Sequence, residues 1–188
     1  SYKLPVRRLL FHKHTLLLQG PIGPFFDHLA RFLILSGRSV TKVNFNGGDQ
    51  HFYNQKPVIN YTDSVGEFRL FLTDLIESKS FDSIVLFGEW RIYHQIAWLV
   101  GREANIPVYV FEEGYLRPDY ITLEPQGVNA YSSIPKHPDF LLSTPVVEES
   151  AQPATSAFSG VVLICIRYYL MLMMRAWKYR QYTHHRSL

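Results

Sequence analysis

Cysteine is nearly absent from this chain of 188 residues: Cys165 stands alone. One thiol excludes an intrachain disulfide and a cysteine-built zinc site, and a reducing compartment is the simpler expectation. Charge is also sparse, at 19% Asp, Glu, Lys and Arg, while Tyr and Phe are abundant at 12 and 13. That balance suits a folded domain and excludes a disordered one. No charged n-region followed by a long apolar run opens the sequence, because Arg7, Arg8 and Lys13 lead only to Leu16-Leu17-Leu18. A secretory leader is therefore not expected. The Gly-x-Gly-x-x-Gly fingerprint is missing, since Gly20-Pro-Ile-Gly23-Pro24 has prolines where a phosphate cradle would use amide donors. A nicotinamide dehydrogenase or epimerase is disfavoured on that ground, and no cofactor is expected.

Acidic residues are missing from one end. Up to Ser150 the chain has 14 Lys/Arg against 16 Asp/Glu, or −2; from Ala151 onward it has five Lys/Arg and no acid, or +5. The basic charge belongs to the tail, which suits a peripheral membrane contact better than nucleic-acid binding along the body.

What is present is an alternation of short apolar runs and helical patterns. Thr15 to Gln19, Val40 to Phe45, Ser83 to Phe87 and Val108 to Val110 read as strands, with Pro57 to Tyr61 a short extended piece. Phe26, Leu29, Ala30, Leu33 and Ile34 recur at helical spacing, and Gly37 sits where a glycine would stop that helix. Ser64 with Glu67 is a capping-box pair opening a helix to about Ser78. Tyr93 to Ala104 is a further helix. The order β-α-β-(β)-α-β-α-β implies parallel strands with right-handed crossovers, a Rossmann-like α/β domain over 1–143. Asn46-Gly47-Gly48-Asp49 reads as a loop, and after Asp119 the pattern decays into a loop-rich stretch. Residues 144–156 read as a linker and 157–188 as a basic amphipathic helical tail, lying on a membrane surface or between domains.

Arg167 interrupts the apolar run from Ala157 to Met174, so a spanning helix is not favoured. Arg167, Arg175 and Lys178 fall on one side at ~100° per residue. Basic residues on one side with Trp177 near the end suit a helix lying on anionic lipid. A helix packed on a further domain is the competing expectation.

Three loops leave predicted strands on one edge: Gly20 to Pro24, Gly88 to Arg91 and Glu112 to Asp119. In open α/β sheets ligands bind there. Glu112 and Glu113 are paired acids at a strand end, suited to acid/base or nucleophilic work, with a solvated acidic turn as the alternative. Glu89, Arg91 and His94 form a second polar set; Glu89 could orient a hydroxyl and Arg91 could hold a carboxylate or phosphate, with a helix-capping and surface role as the alternative. Gly20 and Gly23 could bring backbone close to a substrate before a helix N-terminus, or simply form a rigid turn. Gly114, Arg117 and Asp119 complete the candidate loop, where Arg117 and Asp119 could bind an acceptor or lock the loop by pairing. Adjacent His184 and His185 point in different directions on a helix, so no metal site is expected from them.

The ordered motifs Leu18-Gln-Gly-Pro-Ile-Gly-Pro-Phe-Phe26, Asn44-Phe-Asn-Gly-Gly-Asp49, Val85-Leu-Phe-Gly-Glu89 with Arg91 and His94, and Phe111-Glu-Glu-Gly-Tyr-Leu-Arg-Pro-Asp-Tyr-Ile-Thr-Leu-Glu124 together resemble the bacterial capsule polysaccharide KpsS/LipB family. Gly127-Val-Asn129 continues the likeness, and Tyr179 to Arg186 looks like the family's mid-chain segment. The resemblance implies the N-terminal domain of a GT-B-like glycosyltransferase, cytoplasmic and peripheral on the inner membrane. It implies transfer of Kdo, a 3-deoxy-octulosonic acid, from CMP-Kdo to a phosphatidylglycerol-type lipid, starting the linker that carries capsule polysaccharide for export. It further implies an anionic membrane surface and capsule assembly or export proteins as partners, and no nucleic acid.

Glu112-Glu113-Gly114 is also similar to the acidic-acidic-glycine motif of bacterial sialyl- and Kdo-transferases, in which one acid does the central chemistry. On that resemblance Glu112 or Glu113 is the key acid of a retaining transfer, Glu89 the candidate second carboxylate, and Arg117 the candidate for the acceptor phosphate or the Kdo carboxylate. The family's nucleotide-binding half would begin about where this chain stops, at Leu188. His137-Pro138 lies in the first-half loop, so the CMP-binding role of the family's His-Pro pair is not carried onto it. A non-catalytic component that guides lipid-linked polysaccharide to the exporter is the alternative.

Overall fold

The structure, a computed structural model, describes residues 6, 8–88, 92–113, 121–125 and 155–181. Its centre is a six-stranded sheet in the order β3-β2-β1-β4-β5-β6. The strands are β1 (His14–Leu18), β2 (Ser39–Asn44), β3 (Val58–Asn60), β4 (Ser83–Phe87), β5 (Val108–Glu113) and β6 (Ile121–Pro125). The first five are parallel, and β6 closes the edge antiparallel to β5. The helices are α1 (Phe25–Leu35), α2 (Gly47–His51), α3 (Val65–Lys79), α4 (Ile92–Glu103) and α5 (Thr155–Met174).

Strand residues alternate between two apolar layers, as the pleat requires. Leu16, Leu18, Val43, Ile84, Leu86, Val108 and Val110 pack with Phe68 and Leu72 of α3 and Ala97 and Val100 of α4. Leu17, Val40, Val85, Phe87, Tyr109 and Phe111 pack with Phe26, Leu29, Ala30 and Leu33 of α1. Helices on both faces leave the strands nearly continuous in apolar residues, as parallel strands require. The Rossmann-like α/β class expected from the sequence is the observed one.

Local signals act as their chemistry dictates. Glu67 accepts hydrogen bonds from the Ser64 amide at 3.2 Å and the Ser64 hydroxyl at 2.6 Å, closing the capping box that opens α3. Gly37 ends α1 at a φ of 78°, where a side chain would be strained.

Four elements differ from the sequence expectation. β5 runs on through Glu112 and Glu113, because Thr122 and Ile121 of β6 pair with them. β6 itself falls where the pattern was read as decaying into loop; an edge strand needs only one partner and tolerates Pro125 at its end. Asn46-Gly-Gly-Asp, read as a loop, opens helix α2, with the Asn46 side chain accepting from the Asp49 amide at 2.8 Å. The tail helix starts at Thr155, so Thr155 and Ser156 belong to it and not to the expected linker, and it gives way to turns after Met174. The rest of that linker lies outside the described residues.

Candidate functional site

The strand order makes the site. β1 leads outward to β2 and β3, and the chain then crosses back to β4 on the other side of β1. The crevice of such a sheet opens at the carboxyl ends of the two strands flanking this reversal, here β1 and β4. Leu18 pairs with Leu86, and Phe87 pairs with Phe111. Counting on from those pairs puts Gly20, Gly88 and Glu112 on one level at the carboxyl edge.

Aromatic packing ties that edge together. Phe25, the first residue of α1, sits edge-on to Phe111 at 5.1 Å and to Phe87 at 6.0 Å. The loop Gly20 to Pro24 is thereby anchored to the ends of β4 and β5. Gly20 is close against Phe26, where a Cβ would stand 3.2 Å from the ring. Gly23 has a φ of 112° and Gly88 one of 73°, conformations that favour glycine.

His94 lies on α4 but is wholly buried, with Nδ1 2.5 Å from the Gly88 carbonyl oxygen. It fixes the backbone where β4 exits into the crevice, the placement of a residue that holds a loop. Of the other expected site residues, Glu112 and Glu113 are the last two residues of β5. Glu89, Arg91, Gly114, Arg117 and Asp119 lie outside the described residues, as do His137, Pro138, His184 and His185.

A buried polar cluster beside this edge escaped the sequence reading. Lys42, on β2, is 1% exposed, and its ammonium donates to Asp49 Oδ1 at 2.5 Å and to the Asn44 side chain. Asp49 Oδ2 accepts from the Phe45 amide at 3.2 Å, and Asn44 donates to Asn60 at 3.1 Å. Burial holds the Lys42 ammonium below the ordinary lysine range, and the Asp49 carboxylate opposes that shift. The Tyr53 ring lies 5.0 Å from Lys42 Nζ, and its buried hydroxyl finds no hydrogen-bond partner among the described residues. Burial also pushes that hydroxyl above the ordinary phenol range, with Asp27 and Asp49 adding to the effect. A cavity of about 10 Å³, room for about one water, separates Lys42, Asp49 and Tyr53 from Gly20, Pro21 and Gly23. The one available signal was a lysine in the middle of an apolar strand. Among the described residues no group of His, Cys, Asp and Glu could hold a metal.

The tail helix lies along this edge. Its Ile164 abuts Gly23, where a Cβ would stand 3.1 Å from Cγ2. Asn46 donates to the Tyr168 hydroxyl at 3.0 Å, and Arg175 Nη1 donates to the Gly47 carbonyl at 3.3 Å. Lys178 and Tyr179 both donate to Gln50 Oε1, at 3.4 and 2.9 Å. The basic side expected to face lipid is thus partly turned inward: Arg175 and Lys178 hold the body, and only Arg167 of the three is exposed.

A larger cavity of about 620 Å³ lies at the opposite edge, between the end of α4 and the start of β5, where Arg102 stacks on Trp98 at 4.7 Å. It is remote from the crevice, at the end of the sheet where α/β ligands do not usually bind.

The family described as Capsule polysaccharide biosynthesis protein matches residues 82–188, which include β4, β5, the two glutamates and the tail helix. Over 182 residues the chain is 40% identical to the "Capsule polysaccharide modification protein LipB" of Neisseria meningitidis serogroup A, covering 93% of this chain and 43% of that protein. The serogroup B protein of the same name matches equally. The "Capsule polysaccharide export protein KpsS" of Escherichia coli is 42% identical over 188 residues, or 95% of this chain and 46% of that protein. The chain therefore spans less than half the length of these relatives. Among solved structures, the deacetylase of teicoplanin biosynthesis aligns over 86% of both chains with a TM-score of 0.43 and 11% identity. With its family match running from β4 to the end of the chain, this protein belongs to the capsule polysaccharide biosynthesis family.

Proposed function

We propose that the protein is the acceptor-side half of a glycosyltransferase of capsule biosynthesis, moving Kdo from CMP-Kdo to a phosphatidylglycerol-type lipid at the cytoplasmic face of the inner membrane. The observation that carries the reading is the register that levels Glu112 with Gly20 and Gly88 beside the topological reversal of the sheet. Kdo transfer passes through an oxocarbenium-like state, which a carboxylate at that level would stabilise or trap covalently. Glu112 or Glu113 is the nucleophile in this scheme, with Glu89 as the second carboxylate. Arg117 and Arg91 meet the acceptor phosphate or the Kdo carboxylate. Gly114 and Asp119 complete the acceptor loop, and His94 acts through Gly88. No cofactor or metal takes part, and capsule assembly and export proteins receive the product.

The test is Kdo transfer by the protein as its gene encodes it, assayed with CMP-Kdo and phosphatidylglycerol. Release of CMP with formation of a Kdo-lipid is expected, and its loss in Glu112→Gln or Glu113→Gln. Undiminished transfer in both variants would show that the site is elsewhere. Persistent absence of transfer by the unaltered protein would favour the non-catalytic export reading.

A further inference from the structure

The Lys42 cluster holds two buried hydrogen-bond donors that the described residues leave unused. A lysine ammonium carries three protons. Among the described residues two acceptors meet that of Lys42, the Asn44 side chain and Asp49 Oδ1. One proton remains, on a side chain wholly inside the body. Tyr53 is 6% exposed, and its hydroxyl has no partner among the described residues. Burial and the carboxylates of Asp27 and Asp49 keep that hydroxyl protonated, so it too is a donor. A buried polar group without a hydrogen bond is costly, and native folds rarely keep one.

Both side chains line the same small cavity, whose volume of about 10 Å³ admits one oxygen-sized group. Asp27 and Asp49 stand on its wall, and Gly20, Pro21 and Gly23 border it. Asp27 Oδ1 accepts from the Asn54 amide at 2.8 Å and from the Gln55 side chain at 3.2 Å. Asp49 accepts from Lys42 and from the Phe45 amide. A carboxylate can accept about four hydrogen bonds, so each has capacity left.

The wall selects its occupant by charge. Two carboxylates against one ammonium repel an anion such as phosphate, and the ammonium repels a cation. A neutral O–H group suits it, because one oxygen can accept from both donors while its own proton goes to a carboxylate.

We propose that the cavity is a binding site for a single neutral hydroxyl oxygen, held by Lys42 Nζ and the Tyr53 hydroxyl as donors and by a carboxylate of the wall as acceptor. Water and an alcohol share this chemistry. The site seats the loop at the edge of the crevice, since Gly23 meets both the cavity and Ile164 of α5. Tyr53 is thus a positioning residue for the Gly20 to Pro24 loop. This role is independent of which reaction the crevice serves.

Tyr53→Phe tests the proposal, because it removes one donor and no hydrogen bond within the described residues. Losing the bound oxygen should lower Tm by about 2–4 °C. A hydroxyl with no partner at all would instead be relieved by the change, and Tm would rise. A crystal structure of the unaltered protein should show one oxygen within hydrogen-bond distance of Lys42 Nζ and Tyr53 Oη, and the variant should lack it. Amide exchange at Ile22 and Gly23 should rise about fivefold in the variant, the equivalent of one hydrogen bond. Oxygen-17 relaxation dispersion separates the two sources. A long-lived water that persists at saturating glycerol assigns the site to water, and one that glycerol displaces assigns it to an alcohol. A raised Tm in Tyr53→Phe, a cavity without an ordered oxygen, or phosphate bound in it would each overturn the proposal.

Discussion

Lys42 Nζ and Asp49 Oδ1 meet at 2.5 Å inside the body, with both side chains at most 5% exposed. Seven positions separate them in the chain, and the pair joins the end of β2 to the helix on which α5 rests. Charges this deeply buried are tolerable because each is hydrogen-bonded on more than one side: Lys42 to Asn44 and Asp49, Asp49 to Lys42 and the Phe45 amide.

Removing one partner leaves the other charged and unpaired in the core. Lys42→Met and Asp49→Asn are each expected to cost about 3–5 kcal/mol, a fall in Tm on the order of 10 °C for a domain of this size. The double variant Lys42→Met/Asp49→Asn should regain more than half of the summed loss. Thermal denaturation checks this, and strict additivity of the two single losses would show that the residues do not act as a unit.

Gly47 is where α5 touches the body most closely. A Cβ there would stand 2.3 Å from the Met171 carbonyl oxygen, a backbone atom that cannot rotate away. Gly47→Ala is therefore expected to lift the helix, raising amide exchange across residues 164–179 by at least tenfold while the strands keep their protection. Gly66→Ala is the control. Its nearest neighbour would be the Ser64 hydroxyl at 3.9 Å, and the helix-favouring methyl should stabilise α3 by about 0.5–1 kcal/mol. Hydrogen exchange by mass spectrometry reads both.

The capping box of α3 sets a pH dependence. The Ser64 hydroxyl and amide hold the Glu67 carboxylate below the ordinary glutamate range. A depressed folded-state pKa means that the cap's stabilisation is present above the unfolded value and lost as pH falls through the folded one. Carboxyl NMR titration should show Glu67 ionising below 4.5, the ordinary value, and Ser64→Ala should move it back up. Fraying of α3 should follow the same titration.

On the proposed mechanism, Glu112→Gln and Glu113→Gln differ in severity. The nucleophile's variant should lose at least about 10³-fold in kcat, while the neighbour's should lose 10-fold to 100-fold, consistent with a supporting acid/base role. Steady-state kinetics on CMP-Kdo separates them, and a covalent glycosyl-enzyme seen by mass spectrometry only in the less affected variant would name the nucleophile.

Much of the fold was legible in the residues. Ser83 to Phe87 is a strand with the expected bounds, Gly37 stops α1, and Ser64 caps α3, because each depends on chemistry within a few positions. α2 was not legible: Gly47 and Gly48 are poor helix formers, and the helix exists because Asn46 caps it and α5 packs on glycines that leave room for Tyr168 and Met171. β6 was missed for a related reason, since one antiparallel partner makes Ile121–Pro125 a strand. At the candidate site, the common level of the carboxyl ends of β1, β4 and β5 followed from the alternation of elements, whereas the Lys42 cluster did not.

Sequence alone determined the alternating α/β order, the caps and stops, and the presence of two acids where the last parallel strand ends, because backbone periodicity and capping are local. Tertiary structure decided which partner neutralises Lys42, that β5 carries both acids within its pairing, and which side of α5 faces outward. Helical spacing shows that two faces differ, but only the docking of Tyr168 and Arg175 on Asn46 and Gly47 chooses which face meets the body. That choice leaves Leu163, Ile166 and Leu170 exposed and turns Arg175 and Lys178 toward the body.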